Sequence, residues 1–152
     1  MRDIDRLTYT ALGISEYALM CRAGEAAFQQ LVSQWPEARR ALILCGTGNN
    51  GGDGWVLARL ADKAGLECRV ALFGDPARIA GAARMAYDAW CESNRGAHVN
   101  AETLNAGDLE IGACDIVIDA LTGIGLSGPA RAAVVELITL VNGTSVPARR
   151  YR

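Results

Sequence analysis

Two glycine-rich segments, each directly after an apolar run of strand length, constrain this chain most strongly. Gly46 to Gly54 (GTGNNGGDG) follows Ala41 to Cys45 (ALILC), and Gly123 to Gly128 (GIGLSG) follows Asp115 to Asp119 (DIVID). Glycine lets a backbone approach a ligand closely, and a helix that begins after such a loop adds the positive end of its dipole. The two segments therefore predict binding of a phosphorylated small molecule. Both fit G-x-G-x-x-G, a pattern that alone is weak evidence.

The first segment carries more chemistry than a phosphate cradle needs. Asn49, Asn50 and Asp53 place amide and carboxylate oxygens among its glycines. A structural interpretation is open as well, since Asn and Gly are common in turns and Asp53 could cap the following helix. An ordinary turn, however, does not call for two consecutive asparagines, two glycines and a capping acid together. Asp119, at the end of the second apolar run, is a further candidate site residue, and it also has a structural alternative.

Strand and helix patterns alternate along the chain. Ser15 is predicted to cap the first long helix and Gly65 to end the second. Because the strands read as continuous apolar runs, they indicate a parallel sheet covered on both faces. The predicted fold is a doubly wound, Rossmann-like α/β/α sandwich with a mainly parallel sheet, whose ligands bind beyond the carboxyl ends of the strands. The predicted strands are 41–45, 67–73, 98–100 and 115–119, and the predicted helices are 15–34, 53–64, 77–93 and 129–141.

Composition excludes several classes of protein. The 152 residues are 51% hydrophobic and carry a formal charge of −2, which indicates one globular domain without a basic face for nucleic acid. The apolar runs are shorter than the roughly 20 residues of a membrane helix, and the first residues lack a signal-peptide pattern. We therefore expect a cytoplasmic protein. Five cysteines without a Cys-x-x-Cys pair predict free thiols, and a single histidine, His98, argues against a Ser-His-Asp triad or a histidine-based metal site.

With these motifs the chain resembles the NAD(P)H-hydrate epimerases, the YjeF N-terminal domain family. The resemblance rests on GTGNNGGDG with the VLAR at 56–59, on DIVIDALTGIGL at 115–126 and on LMCRAGEAA at 19–27, and it covers about residues 3–141. It implies an isomerase of metabolite repair that interconverts the R and S forms of hydrated NADH or NADPH. An ADP/ATP-dependent dehydratase, fused or separate, would then restore the cofactor. The resemblance also implies a homodimer.

The resemblance further implies roles for particular residues. Asn50 and Asp119 would ligate a potassium ion, and amide and carboxylate oxygens suit a hard cation. Epimerisation can proceed through loss of water to a cationic iminium and re-addition from the other face. Asp53 or Asp119 could stabilise that cation or steer the water. The substrate's phosphates and ring would contact Asn49, Asn50, Gly51, Gly52, Asp53, Gly123, Ile124, Gly125, Leu126, Ser127, Gly128 and Pro129.

The chain departs from the family pattern after residue 141. The family continues into another buried strand and a Val-Asp-x-Pro-Ser-Gly loop, whereas residues 142–152 read NGTSVPARRYR, with no acidic residue after Glu136. We therefore assign 1–141 to a partial YjeF N-terminal domain and 142–152 to a tail outside it, and we expect a truncation or a frameshift. A sheet that is incomplete at the C-terminus would expose the flank of a central strand, so we expect aggregation or partner-dependent folding.

Two other functions stay open from the sequence. A Rossmann NAD(P)-binding oxidoreductase module would explain the first G-x-G-x-x-G and also Asp75, which follows the second strand about where a ribose-binding acid belongs. The other is a non-catalytic nucleotide-binding or protein-binding fragment of the epimerase family. A Rossmann module should bind intact NADH well, whereas an epimerase should prefer the hydrated cofactor and respond to potassium.

Overall fold

A parallel sheet organises the chain. The computed structural model describes residues 13–94, 99–100, 114–121, 139, 143 and 147–150. The sheet has five strands in the order β3-β2-β1-β4-β5, and every neighbouring pair is parallel. Strand order therefore runs outward from β1 in both directions, which is the predicted doubly wound arrangement. The elements are α1 (Glu16–Gln34), β1 (Arg40–Cys45), α2 (Asn49–Lys63), β2 (Glu67–Leu72), a 3₁₀ turn (Pro76–Arg78), α3 (Gly81–Asn94), β3 (Val99–Asn100), β4 (Ile116–Ala120) and β5 (Ala148–Arg150).

Both faces of the central strands are buried. In β1, Ala41, Ile43 and Cys45 belong to the core cluster formed with the three helices, and the intervening Leu42 and Leu44 are equally buried. Helix α2 packs against both α1 and α3. The continuous apolar runs thus predicted the sheet's two-sided burial correctly. All five cysteines are free, and no helix within the described residues is both long and apolar enough to cross a membrane.

The predicted helix boundaries are confirmed at two places. The Ser15 hydroxyl accepts a hydrogen bond from the Ala18 N–H at 3.1 Å and so caps α1. Gly65 follows α2 with a φ of +91°, a conformation that favours glycine and that ends the helix. The predicted strands agree with the structure to within one or two residues at each end.

Two helix predictions are wrong in their bounds. Helix α2 begins at Asn49, four residues before the predicted start at Asp53, so Asn49 to Gly52 form its first turn rather than a loop. Glycine disfavours helix interiors by roughly 1 kcal/mol each relative to alanine, and tertiary packing overrides that preference here. The predicted helix 77–93 is divided, because Asp75 caps a separate 3₁₀ turn and α3 begins at Gly81 with a φ of +59°.

The C-terminal segment contributes a strand. β5 lies inside residues 142–152 and pairs with β4 in the register Val117–Ala148, Ile118–Arg149 and Asp119–Arg150. The flank of β4 is therefore paired, and the expectation of an exposed flank is wrong there, because a short strand with two arginines, which its composition does not indicate, pairs with it. The predicted helix 129–141, apart from Thr139, and the second glycine segment 123–129 lie outside the described residues.

Candidate active site at the carboxyl edge of the sheet

The two motif-bearing strands end side by side. β1 and β4 are neighbours, with Leu44 opposite Asp119 and Cys45 opposite Ala120. The Gly46 N–H, just past β1, donates to the Ala120 carbonyl at 3.1 Å. The loop after β1 and the segment after β4 therefore start from one edge of the sheet. This is where the sequence predicted that the two glycine segments would meet.

The glycines of the first segment allow the protein's own backbone to pack closely. A Cβ on Gly46 would overlap the carbonyl oxygen of Leu121, and a Cβ on Gly51 would overlap that of Gly46. A Cβ on Gly54 would lie 2.8 Å from both the Ala120 Cβ and the Cys45 Sγ. Three of the glycines thus press the start of α2 against the ends of β1 and β4. The interpretation of Asn49 to Gly52 as an ordinary turn is wrong, since these four residues form the first turn of α2.

Helix α2 presents an N-terminus without a side-chain cap at this edge. Its N-cap is Gly48, and its first helical hydrogen bond runs from the Gly52 N–H to the Gly48 carbonyl at 3.0 Å. The N–H groups of Asn49, Asn50 and Gly51 therefore have no carbonyl partner within the helix. Together with the helix dipole, they form a site that favours an anion. Asp53 is not the cap, which corrects that structural alternative, because the helix starts one turn earlier.

Asn50 carries a polar atom that the described residues leave unsatisfied. Its side chain is half-buried, and its Nδ2 is inaccessible to solvent and has no hydrogen-bond partner among them. Asn50 lies one helical turn before Gly54, on the side of α2 that faces Ala120 of β4. An unmet buried amide costs about 1–3 kcal/mol, so this atom is a candidate for a partner that a ligand would supply. Rotation of the amide presents either its donor or its acceptor at this position.

Asn49 and Asp53 lie on a different side of α2 from Asn50. Asn49 is exposed, and its Nδ2 donates to Oε1 of Glu16, in the first turn of α1, at 3.3 Å. Asp53 is half-buried one turn further along, and its backbone carbonyl lies 3.1 Å from where a Cβ on Gly24 of α1 would be. Sequence reasoning missed Glu16, because no motif links it to a residue 33 positions away.

Asp119 lies at the end of β4, beside the first loop. Its carboxyl is half-buried, and Oδ1 accepts a hydrogen bond from the Leu121 N–H at 3.1 Å, which fixes the side chain against its own strand end. Ile116 and Ile118 belong to the helix-covered core, so Asp119 lies on the opposite face of the sheet. Asp119 and Asn50 thus both lie at the carboxyl edge but on opposite faces of β4, while Asn49 and Asp53 lie on the side of α2 towards α1.

Other candidate groups at this edge have structural roles. Burial raises the pKa of the Cys45 thiol well above its ordinary value, so the group stays protonated at neutral pH and is a poor nucleophile. Oδ1 of Asp75 accepts from the Ala77 N–H at 2.8 Å and caps the 3₁₀ turn, which removes the main support for a ribose-binding acid there. No cluster of three or more His, Cys, Asp or Glu side chains suited to a metal occurs within the part of the chain that the structure describes.

The fold is that of an α/β protein with a doubly wound sheet, and the candidate site lies at the carboxyl edge of that sheet. The model of the family described as YjeF-related protein N-terminus matches residues 16–148. The chain therefore belongs to this family. The crystal structure of yeast ynu0 has the same fold, with a TM-score of 0.72 and 22% identity over 88% of this chain and 58% of that one.

Curated relatives support the same family. The chain is 45% identical over 142 residues to the bifunctional NAD(P)H-hydrate repair enzyme Nnr of Coxiella burnetii, covering 93% of this chain and 28% of that protein. It is 38% identical over 147 residues to the enzyme of the same name from Escherichia coli, covering 97% and 27%. It is 35% identical over 136 residues to the NAD(P)H-hydrate epimerase of Rhodobacter capsulatus, covering 85% and 61%. The chain thus spans less than two thirds of each.

Proposed function

We propose that this chain interconverts the R and S forms of hydrated NADH and NADPH. The observation that carries the proposal is that three features lie at one edge of the sheet. They are the N-terminus of α2, which has no side-chain cap, the amide of Asn50 and the carboxylate of Asp119. The first offers N–H donors for a phosphate, and the others offer oxygens near a developing positive charge. The names of the curated relatives support the same reaction.

The reaction needs little covalent chemistry from the protein. The hydroxyl on the carbon next to the ring nitrogen takes a proton and leaves as water, while the nitrogen lone pair forms a cationic C=N bond. Water then adds to the opposite face and loses a proton, which gives the other epimer. A carboxylate near the ring stabilises the cation and steers the water in both directions. A fixed anion at the site therefore accelerates loss and re-addition alike.

We assign this carboxylate role to Asp119 and keep Asp53 as the alternative. Asp119 lies at the carboxyl edge, where α2 also begins. The hydrogen bond that its Oδ1 accepts from the Leu121 N–H holds the carboxylate in a fixed position. Asp53 lies on the side of α2 that faces α1, and Gly24 of α1 packs against its backbone. An anion in that position is better placed to orient the helix terminus than to reach the nicotinamide ring.

Asn50 and Asp119 would also hold a potassium ion. The fit rests on the donor set, since the side-chain oxygen of Asn50 and the carboxylate of Asp119 are the kind of atom that a hard cation prefers. When bound, the ion would supply a fixed positive charge that binds substrate oxygens. The two side chains would complete its shell with backbone carbonyl or substrate oxygens, so no cluster of carboxylates is needed.

The proposed reaction also places the chain beside a dehydratase. An enzyme that dehydrates one epimer of the hydrate leaves the other untouched, so an epimerase makes the whole pool available to it. The word bifunctional in the names of two relatives supports this pairing. We further propose that the chain acts as a homodimer in the cytoplasm, as the resemblance to the family implies.

Interconversion of NADPH hydrate epimers tests the proposal directly. We expect the chain to speed the interconversion of purified R and S forms, followed by NMR or chiral separation against the spontaneous rate. Asp119→Ala should reduce the acceleration about a hundredfold, in the range typical for one electrostatic group. Replacing potassium by choline should slow the reaction of the unmodified chain.

The matched control is Asp62→Asn. Asp62 is an exposed carboxylate near the opposite end of α2, so its removal changes the net charge without touching the proposed site. It should leave the rate unchanged. An equal loss in both variants would assign the effect to charge or stability, and loss only in Asp53→Ala would transfer the role to Asp53. Absence of any acceleration, with the chain folded, would reject the proposed function.

A further inference from the structure

The first glycine segment contains a single hydroxyl group, that of Thr47. Thr47 is half-buried and lies directly before Gly48, the N-cap of α2. Its hydroxyl does not cap the helix and makes no hydrogen bond to any residue that the structure describes. By contrast, the side chain of Asn49 already donates to Glu16. Thr47 therefore carries a donor that is still available next to the N-terminus of α2.

The methyl group of Thr47 holds the side chain in place. Gly74, just after β2, has a φ of +119°, a conformation that favours glycine. A Cβ on Gly74 would lie 2.6 Å from Cγ2 of Thr47 but 3.7 Å from its Oγ1. The methyl group thus packs against Gly74, and the hydroxyl lies farther away from it. Because threonine is branched at Cβ, a fixed methyl group also restricts the direction of the hydroxyl.

The loop after β1 contacts a different strand end on each of its two sides. On the β4 side, the Gly46 N–H donates to the Ala120 carbonyl. On the β2 side, Thr47 contacts Gly74. Asp119, to which we assign the stabilisation of the cationic ring, belongs to the β4 side. A carboxylate attracts the cation but repels a phosphate, so the two parts of the substrate need separate places. Thr47 lies on the side of the loop away from Asp119.

We infer that the hydroxyl of Thr47 donates a hydrogen bond to the diphosphate of the substrate, which binds on the β2 side of the α2 N-terminus. The inference rests on the proposed function for the identity of the substrate, although the contact itself needs only a phosphate group. Hydrogen bonds to an ionised oxygen are short and strong, and the free N–H groups of α2 would donate to the same diphosphate. Thr47 is then a binding residue for the part of the substrate that does not react.

Two substitutions at position 47 separate the hydroxyl from the methyl group. Binding of ADP-ribose, which has a diphosphate but no nicotinamide ring, is measured on the full chain by isothermal titration calorimetry. Thr47→Val keeps the contact with Gly74 and loses the donor. It should raise the Kd for ADP-ribose about tenfold and leave the melting temperature of the free chain unchanged. Thr47→Ser keeps the donor and loses the methyl group. It should bind ADP-ribose within about twofold of the unmodified chain but melt at a lower temperature.

Several outcomes would overturn the inference. They are equal affinity of Thr47→Val and the unmodified chain, equal weakening in Thr47→Val and Thr47→Ser, and no binding of ADP-ribose by the unmodified chain. A fall in the melting temperature of Thr47→Val as large as that of Thr47→Ser would also overturn it, because the hydroxyl would then have a partner in the free protein. Epimer interconversion by the unmodified chain is measured separately. Activity without the difference in ADP-ribose binding would reject the inference alone, and the difference without activity would reject the proposed function alone.

Discussion

An aspartate lies near each end of strand β4, Asp115 just before it and Asp119 at its fourth residue, and the two have different surroundings. At the amino edge, Oδ2 of Asp115 accepts from the backbone N–H groups of Arg39 and Arg40, both at 2.9 Å. Oδ1 accepts from the Arg40 guanidinium at 2.8 Å. At the carboxyl edge, Asp119 lies opposite Leu44 of β1, and Nδ2 of Asn50, in the first turn of the helix that follows β1, has no partner among the described residues. The first aspartate fastens β4 to β1, and the second lies at the edge where we propose that the substrate binds.

This difference separates structural from functional polar groups. The amino edge uses every oxygen of its carboxylate internally, so a ligand there would have to displace existing bonds. The carboxyl edge presents a helix N-terminus without a side-chain cap, and the Nδ2 atom of Asn50 has no partner among the described residues. Substitutions of polar residues at the amino edge should therefore mainly lower stability, and those at the carboxyl edge should mainly lower activity.

The largest expected effect comes from the glycines that shape the carboxyl edge. Gly51→Ala would drive a methyl group into the Gly46 carbonyl, a backbone atom that cannot move aside cheaply. We expect the free energy of unfolding to fall by about 3 kcal/mol, or the chain to fail to fold. Urea unfolding followed by circular dichroism measures the change.

Gly48→Ala provides the matched control. Gly48 is exposed, its Cβ position has open space, and its φ of −96° suits any residue. Only the weaker capping ability of alanine should count, for about 0.5–1 kcal/mol. If both substitutions lowered the free energy of unfolding equally, the packing role of Gly51 would be contradicted, because only a Cβ at position 51 meets backbone atoms.

The sequence predicted the parts of the molecule that local patterns determine. Continuous apolar runs identified the strands and the two-sided sheet, and Ser15 and Gly65 marked helix ends through capping chemistry alone. The start of α2 was wrong, because its glycines oppose a helix locally and only contacts with Leu121 and Ala120 make them necessary. The hydrogen bonds of Asp115 could not be predicted, because their donors lie 75 and 76 positions away in the sequence.

The candidate site divides in the same way. Asn50 and Asp119 could be chosen from their positions after strands, since the carboxyl ends of parallel strands meet at one edge. The partnership of Asn49 with Glu16 could not, because it depends on how α1 packs across α2. Nor could β5, since Ala148, Arg149 and Arg150 lack the apolar pattern of a strand and pair only because β4 offers an open flank.

A second prediction compares the two asparagines of the first segment. Asn50→Ala should reduce kcat/KM for the proposed epimerisation at least tenfold, because its buried amide is expected to gain its partner from the bound ion or substrate. Asn49→Ala should reduce it less than threefold, since that exposed side chain already bonds to Glu16. Equal losses would show that the two residues serve the ligand equally and would weaken the argument from the unsatisfied amide.

A third prediction concerns acid stability at the amino edge. The Arg40 guanidinium and the two backbone N–H groups lower the pKa of Asp115 from 3.8 to about 2. A lowered pKa stabilises the fold above the unfolded-state value, and the contribution is lost as pH falls from about 4 to about 2. Asp115→Asn should therefore lower the melting temperature at neutral pH and flatten its dependence on pH across that window.

Arg40→Gln is the companion change at that edge. It removes the largest cause of the lowered pKa of Asp115 and keeps both backbone donors, so its pH dependence should fall between those of the unmodified chain and Asp115→Asn. Neither variant should change kcat, since both lie at the edge away from the proposed site. A loss of activity in a folded Asp115→Asn chain would break the division between the two edges.

The smallest expected effect belongs to Glu16, which lies at the carboxyl edge but is exposed. Its carboxylate accepts from Asn49 at 3.3 Å and sits in the first turn of α1, where a negative charge favours the helix dipole. Glu16→Gln keeps the acceptor but loses the charge, so the free energy of unfolding should fall by about 0.5 kcal/mol. KM for the anionic substrate should fall slightly, because one repulsive charge near the N-terminus of α2 is removed. Glu25→Gln, an exposed carboxylate further along α1, should leave KM unchanged. A rise in KM for Glu16→Gln would show instead that this charge helps to orient Asn49 towards the ligand.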